Sequence, residues 1–196
     1  MANLPSKLKG KTILIGVTGG IACYKVADLV SKLVQSEAHV NVVMTKAATQ
    51  FITPLTFASL TGNAVYDSQW TFVDQHDPQH VKLARSADVM LVAPCTMDML
   101  AKLAHGMTDD PLSLVISAID RNQTPVLLAP SMNATMLAQP STVRNSKQLQ
   151  DDGFIFVAPE EGWQACKTIG CGRLPEPDAL VAALEAFIPR KTAISS

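Results

Sequence analysis

Residues 12–35 read TILIGVTGGIACYKVADLVSKLVQ. TILIGV is an unbroken apolar run, the pattern of a β-strand covered on both faces. TGG interrupts it at residues 18–20. Ile21, Val26, Leu29, Val30 and Leu33 then recur at helical spacing. A buried strand, a glycine turn and an amphipathic helix open a β–α–β unit, and the rest of the chain repeats the theme. HVNVVM (39–44), DVMLVAP (88–94), PVLLAP (125–130) and FIFVAP (154–159) read as four further strands. Helical patterns fall between and after them: a mixed one over 47–60, then Met97–His105, 111–120, 140–151 and Glu176–Ile188. The 111–120 segment starts with proline, which a first helical turn accepts. Five apolar strands alternating with helices predict a single doubly wound parallel-sheet α/β domain. It is expected over residues 11–190, between an N-terminal extension (1–10) and a tail (191–196). Residues 159–178, rich in Gly, Pro and Cys, show no clear period and are expected to be a functional or mobile loop.

The chain of 196 residues is long enough for one sizeable core. Hydrophobic residues make up 47% and charged residues only 17%, so extra apolar surface is expected to be buried between subunits. The formal net charge of -1 and scattered Lys and Arg give no basic track for nucleic acid. No segment has the length and apolarity of a membrane span. The start, MANLPSKLKGK, holds no apolar leader core, so the four cysteines are expected as free thiols in the cytoplasm. Cys166 and Cys171 form a lone C-x4-C, too few ligands for tetrahedral zinc. No metal is expected.

Open α/β sheets bind ligands at the carboxyl ends of their strands. After the first strand, the N–H groups around Gly19 and Gly20 suit a phosphate, with the Thr18 hydroxyl as a further donor. A plain tight turn accounts for the same glycines. The pattern is not G-x-G-x-x-G, so a mononucleotide such as FMN fits better than NAD. Thr45, Lys46 and Ala47 occupy the equivalent rim after the second strand. After the third, Thr96 and Asp98 in APCTMDML (93–100) open a helix as caps, with N–H groups that can also meet a flavin ring. In VLLAPSMNATM (126–136), Pro130 ends the strand and Asn133 stands between Met132 and Met136. Its amide offers donor and acceptor, for a carboxylate or an amide; the methionines are adaptable packing. In HDPQHVKLAR (76–85), His80 is a candidate for proton transfer or an ordinary core or surface histidine. In QACKTIGCGR (164–173), Lys167 beside Cys166 favours a thiolate, though an unreactive loop cysteine reads the same.

Five stretches in this order, GVTGGIACYK (16–25), the H-x-x-L-A-R of His80–Arg85, APCTMDML, the P-x-M-N-x-x-M of Pro130–Met136 and QACKTIGCGR, resemble the homo-oligomeric flavin-containing cysteine decarboxylases over about residues 11–180. The resemblance implies a Rossmann/flavodoxin-like flavoprotein fold, FMN as cofactor, and a homotrimer or homododecamer with FMN between subunits. The substrate it implies is 4′-phosphopantothenoylcysteine of coenzyme A biosynthesis. FMN would oxidise the carbon bearing sulfur to a thioaldehyde. CO2 would then leave, and the resulting enethiolate would be reduced to 4′-phosphopantetheine.

On this resemblance His80, Asn133 and Cys166 match catalytic positions: proton transfer near the flavin, grip on the substrate carboxylate, and protonation of the enethiolate. Gly19, Gly20, Ile21, Thr45, Lys46, Thr96, Met97, Asp98, Met99 and Ser131 fall on cofactor-binding positions. Met132, Asn133, Arg85 and Ala165 fall on substrate-binding ones. Cys166 separates the coenzyme A enzyme from peptidyl-cysteine decarboxylases, which release the enethiol unreduced. A non-catalytic flavin-binding or regulatory homologue is the third reading; such relatives carry acidic tails, unlike PRKTAISS here. Lys167 stands where the family usually has Gly, which predicts altered loop geometry. The family's bacterial members often carry a synthetase domain behind this one; with the sequence ending at Ser196, the preceding step is expected to need another protein, or the chain to act on another thiol substrate.

Overall fold

A computed structural model describes residues 7–70, 78–165 and 167–188. Strands β1 (Thr12–Val17), β2 (His39–Met44), β3 (Val89–Cys95), β4 (Val126–Pro130) and β5 (Ile155–Phe156) form one sheet in the order β2-β1-β3-β4-β5. Every neighbouring pair is parallel. All residues of β3 and β4 are buried, which is why their apolar runs are continuous rather than alternating.

Helices cover both faces. On one lie α1 (Cys23–Gln35), α2 (Pro54–Thr61) and α8 (Pro177–Phe187), closing over Ile13, Ile15, Leu91 and Leu127. On the other lie α3 (Gln79–Ser86), α4 (Met97–Ala104), α5 (Pro111–Ser117) and α7 (Pro140–Asp151), closing over Leu14, Met90, Val92 and Leu128. A single-turn helix, α6 (Ala134–Leu137), follows β4. α5 starts as its proline suggests: Asp110 and Ser113 form a reciprocal capping box around Pro111. Lys102 of α4 ties the α5 entry down through Asp110 at 2.9 Å. Among the described residues no helix is long and apolar enough to cross a membrane.

The structure departs from the sequence reading in several places. Residues 159–178 are not an unstructured loop: β6 (Glu160–Trp163) and β7 (Ile169–Arg173) pair as an antiparallel hairpin. The fifth strand shrinks to two residues at the sheet edge. α1 begins at Cys23, so Ile21 leaves the helical face and stands 62% exposed. Leu8, assigned to an N-terminal extension, is fully buried in the core. The stretch containing His80 and Arg85 is a helix, α3, which periodicity did not single out.

Candidate active site

The strand order reverses direction between β1 and β3, and ligands of open sheets bind in the crevice at such a point. There the Thr18 hydroxyl donates to the Pro94 carbonyl at 2.6 Å and accepts from the Thr96 N–H at 3.0 Å. The sequence reading offered this hydroxyl to a phosphate. The structure instead uses it as a buried rivet between the ends of β1 and β3. The turn beyond is open to a ligand. Among the described residues no group accepts a hydrogen bond from the N–H of Gly19, Gly20 or Ile21. A Cβ on Gly19 would sit 2.5 Å from the Ala47 Cβ, so only glycine lets the turn close against the β2 rim. Unpartnered N–H groups converging at the start of a helix are a cradle for an anion.

Next to this turn lies a cavity of about 550 Å³. Gly19, Gly20 and Ile21 line one side, Thr96 and Met97 the next, and Ser131, Met132, Asn133 and Met136 another. The hairpin closes it with Trp163, Gln164, Ala165, Gly172 and Arg173. Two contacts with Met132 hold the hairpin down, and a third braces it internally. The Met132 N–H donates to the Gly172 carbonyl at 3.0 Å. The buried Gln164 amide donates to the Cys171 carbonyl at 3.0 Å and reaches the Met132 carbonyl at 3.5 Å. Gly172 has φ +126° and lies so close to Met132 that a Cβ would fall 2.1 Å from its carbonyl oxygen.

Asn133 caps α6: its Oδ1 accepts from the Met136 N–H at 2.8 Å. With Oδ1 engaged by the Met136 N–H, the NH2 donors are left for an acceptor on the ligand, such as a carboxylate. Thr96 likewise combines two roles, capping α4 through the Met99 N–H at 3.3 Å while lining the cavity.

Other expected site residues lie elsewhere. Thr45 is buried, with its N–H on the Val17 carbonyl and its hydroxyl accepting from the Ala48 N–H. Lys46 is exposed on that rim. The Asp98 carboxylate faces solvent and Met99 is in the core. His80 is in the first turn of α3, half-buried, and Arg85 in its last, exposed; neither lines the cavity. Five residues apart on a helix, they diverge by about 140°. Cys166 lies outside the described residues. Its neighbour Ala165 is on the cavity wall, and Lys167 has φ +65°, the left-handed region that suits the family's usual glycine.

The other cysteines supply contrast. Burial pushes the Cys23 and Cys95 thiols up, so both stay protonated at neutral pH. Cys23 donates to the Thr18 carbonyl, bracing the same turn. Two basic cavity residues, Lys25 and Arg173, lie inside the motifs but were not expected in the site. Lys25 is buried, its ammonium on the Leu174 carbonyl at 2.9 Å and on Glu176 at 3.0 Å. Arg173 donates to the same Glu176 carboxylate. The hydrogen bond from Lys25 holds the Glu176 carboxyl below its ordinary value.

Comparison with known proteins bears on this arrangement. The flavoprotein family model matches residues 1–189. The coenzyme A biosynthesis bifunctional protein CoaBC of Haemophilus influenzae is 41% identical over 191 residues, covering 94% of this chain and 46% of that one. The chain thus spans about half the length of the bifunctional relatives it matches. A probable phosphopantothenoylcysteine decarboxylase of Streptococcus mutans is 39% identical over 178 residues, covering 89% of this chain and 97% of that one. A solved PPC decarboxylase variant, complexed with pantothenoylaminoethenethiol, superposes with a TM-score of 0.80 at 27% identity, covering 91% of this chain and 98% of that one. Its sheet order, its glycine turn at the switch point and these matches agree: the chain belongs to the flavoprotein family, in the group of the phosphopantothenoylcysteine decarboxylases.

Proposed function

We propose that this chain catalyses the FMN-dependent decarboxylation of 4′-phosphopantothenoylcysteine to 4′-phosphopantetheine in coenzyme A biosynthesis, in the cytoplasm. The observation that carries the reading is Asn133: an amide fixed as a donor on the wall of a cavity that adjoins an anion cradle. FMN suits the cradle because the chain is a flavoprotein with free N–H groups at Gly19–Ile21 for one phosphate and no dinucleotide fingerprint. Thr96, Met97 and Ser131 line the adjoining wall, where the ring would lie.

When bound, FMN supplies a two-electron acceptor, and later donor, beside the substrate's cysteine moiety. His80 accepts the substrate thiol proton as the carbon bearing sulfur is oxidised. Asn133 holds the carboxylate through Nδ2. As CO2 leaves, the electron pair of the breaking carbon–carbon bond moves into the thiocarbonyl and leaves an enethiolate. Cys166 then protonates the carbon that lost CO2, restoring the thiocarbonyl for return of the two electrons. Arg85 supports the substrate as a basic group. Since His80 and Arg85 stand on α3, away from the cavity of their own chain, the site is completed between copies of a homotrimer, alone or assembled as a dodecamer. Exposed Tyr24, Trp163 and Ile169, each at least 65% accessible, supply apolar surface around the cavity and hairpin for such contact.

The test is the visible spectrum of the purified holoenzyme during anaerobic addition of 4′-phosphopantothenoylcysteine, with mass analysis of the product. Bleaching and recovery of the flavin band with a product lighter by one CO2 is the expected result. A band that stays bleached, with a product two hydrogens lighter still, would move the chain to the enethiol-forming decarboxylases. An unchanging band would overturn the reading.

A further inference from the structure

Resting on that reading, we propose that Arg173, backed by Lys25, recognises the phosphomonoester of the substrate and sets the preference for phosphorylated over dephosphorylated pantothenoylcysteine. Arg173 ends β7 on the cavity wall, with its side chain 37% exposed. Its guanidinium lies across the bare backbone of Gly162, where a Cβ would come within 3.1 Å of Cδ and 3.2 Å of Nη1. Glu176 takes Nη2, which fixes the plane of the group. Nε and Nη1 donate to no other described residue, so the planar guanidinium keeps N–H groups for phosphate oxygens.

Charge points the same way. Among the described residues no Asp or Glu lines the cavity, while Lys25 and Arg173 both do. Glu176 stands behind them and balances one of the two charges. The substrate has two anionic groups. Its carboxylate is matched by the Asn133 donor, and the flavin phosphate by the N–H groups of the Gly19 turn. The Arg173 guanidinium is left for the remaining phosphomonoester.

The experiment compares kcat/KM of the FMN-loaded enzyme for phosphorylated and dephosphorylated pantothenoylcysteine, in wild type, Arg173→Ala and Arg173→Lys. FMN and riboflavin affinities are measured alongside. A charge-assisted pair is worth roughly a ten- to hundredfold preference. Wild type is expected to show a preference of that order. Arg173→Ala is expected to lose most of it, chiefly through KM of the phosphorylated substrate, and Arg173→Lys to keep part. Equal loss on both substrates would overturn the proposal and mark Arg173 as hairpin support, as would a wild type without preference. Weakened FMN binding with riboflavin binding retained would also overturn it, assigning Arg173 to the flavin phosphate. If wild type bleaches with neither substrate, the decarboxylase reading itself falls; turnover of both at equal rates removes only this inference.

Discussion

At Asn133 the proposed site asks one amide to serve the fold and the substrate at once, and the two roles are separable because they use different atoms. Oδ1 caps α6 through Met136, which leaves the Nδ2 donors for a ligand in the cavity that Asn133 lines. Asp is as good an N-cap as Asn, so Asn133→Asp keeps the cap while replacing the donor with a negative charge that repels the substrate carboxylate. The expected outcome is a melting temperature within a few degrees of wild type, checked by calorimetry, and kcat/KM lower by roughly a hundredfold or more. A large drop in melting temperature would mean the side chain matters for folding alone. At this scale the sequence was readable where a residue type has few uses. Two glycines between a strand and a helix, and an amide just past a strand, both announced the crevice. Thr18 was misread because a hydroxyl beside a phosphate turn and a hydroxyl riveting two strand ends look identical until the Pro94 carbonyl is seen 2.6 Å away.

At the scale of elements, the hairpin carrying the Cys166 segment depends on two fastenings. One is the backbone contact of Gly172 with Met132. Gly172→Ala is expected to break it, since the new Cβ meets a carbonyl oxygen at 2.1 Å and the residue holds a positive φ. Faster limited proteolysis within residues 159–174, with the flavin spectrum retained, is the expected signature. The other fastening is Glu176, which binds both Lys25 and Arg173. Its pKa is depressed, so the stability it contributes is present above its ordinary value of 4.5 and is lost as pH falls through the lower folded-state value. The difference in melting temperature between wild type and Glu176→Gln should therefore shrink as pH falls below 4.5; a difference that does not shrink on acidification would refute the assignment. Neither fastening leaves a periodic trace. β1, β3 and β4 were legible because burial on both faces writes a continuous apolar run. β6 and β7 are short, half-exposed and glycine-bearing, held by backbone contacts and one Gln164 amide, and so read as loop. α3, short and polar, drew attention to its chemistry rather than to its helical form.

For the whole molecule, the decisive fact is that the cavity and His80 do not meet within one chain. His80 lies in the first turn of α3, on the sheet face opposite α1 and α8, whereas the cavity wall is built from the α1 turn, the α6 entry and the hairpin. A site that draws Asn133 from one copy and His80 from the next has a consequence that no single-chain site shares. Two inactive variants, His80→Asn and Asn133→Asp, should complement each other when co-expressed and purified as one mixed assembly. In a closed ring with heterologous contacts, each interface takes its Asn133 from one side and its His80 from the other. With equal, random mixing, both residues are intact at about one quarter of the interfaces. Decarboxylation at about a quarter of the wild-type rate per flavin is thus expected from the mixture and essentially none from either parent, measured as CO2 release under saturating substrate. If both residues served a site within one chain, each chain would carry one defect and the mixture would stay as inactive as its parents. Gel filtration of the same sample separates this from failed assembly, because a mixture that is inactive yet co-elutes at the wild-type size places His80 and Asn133 in the same chain's site.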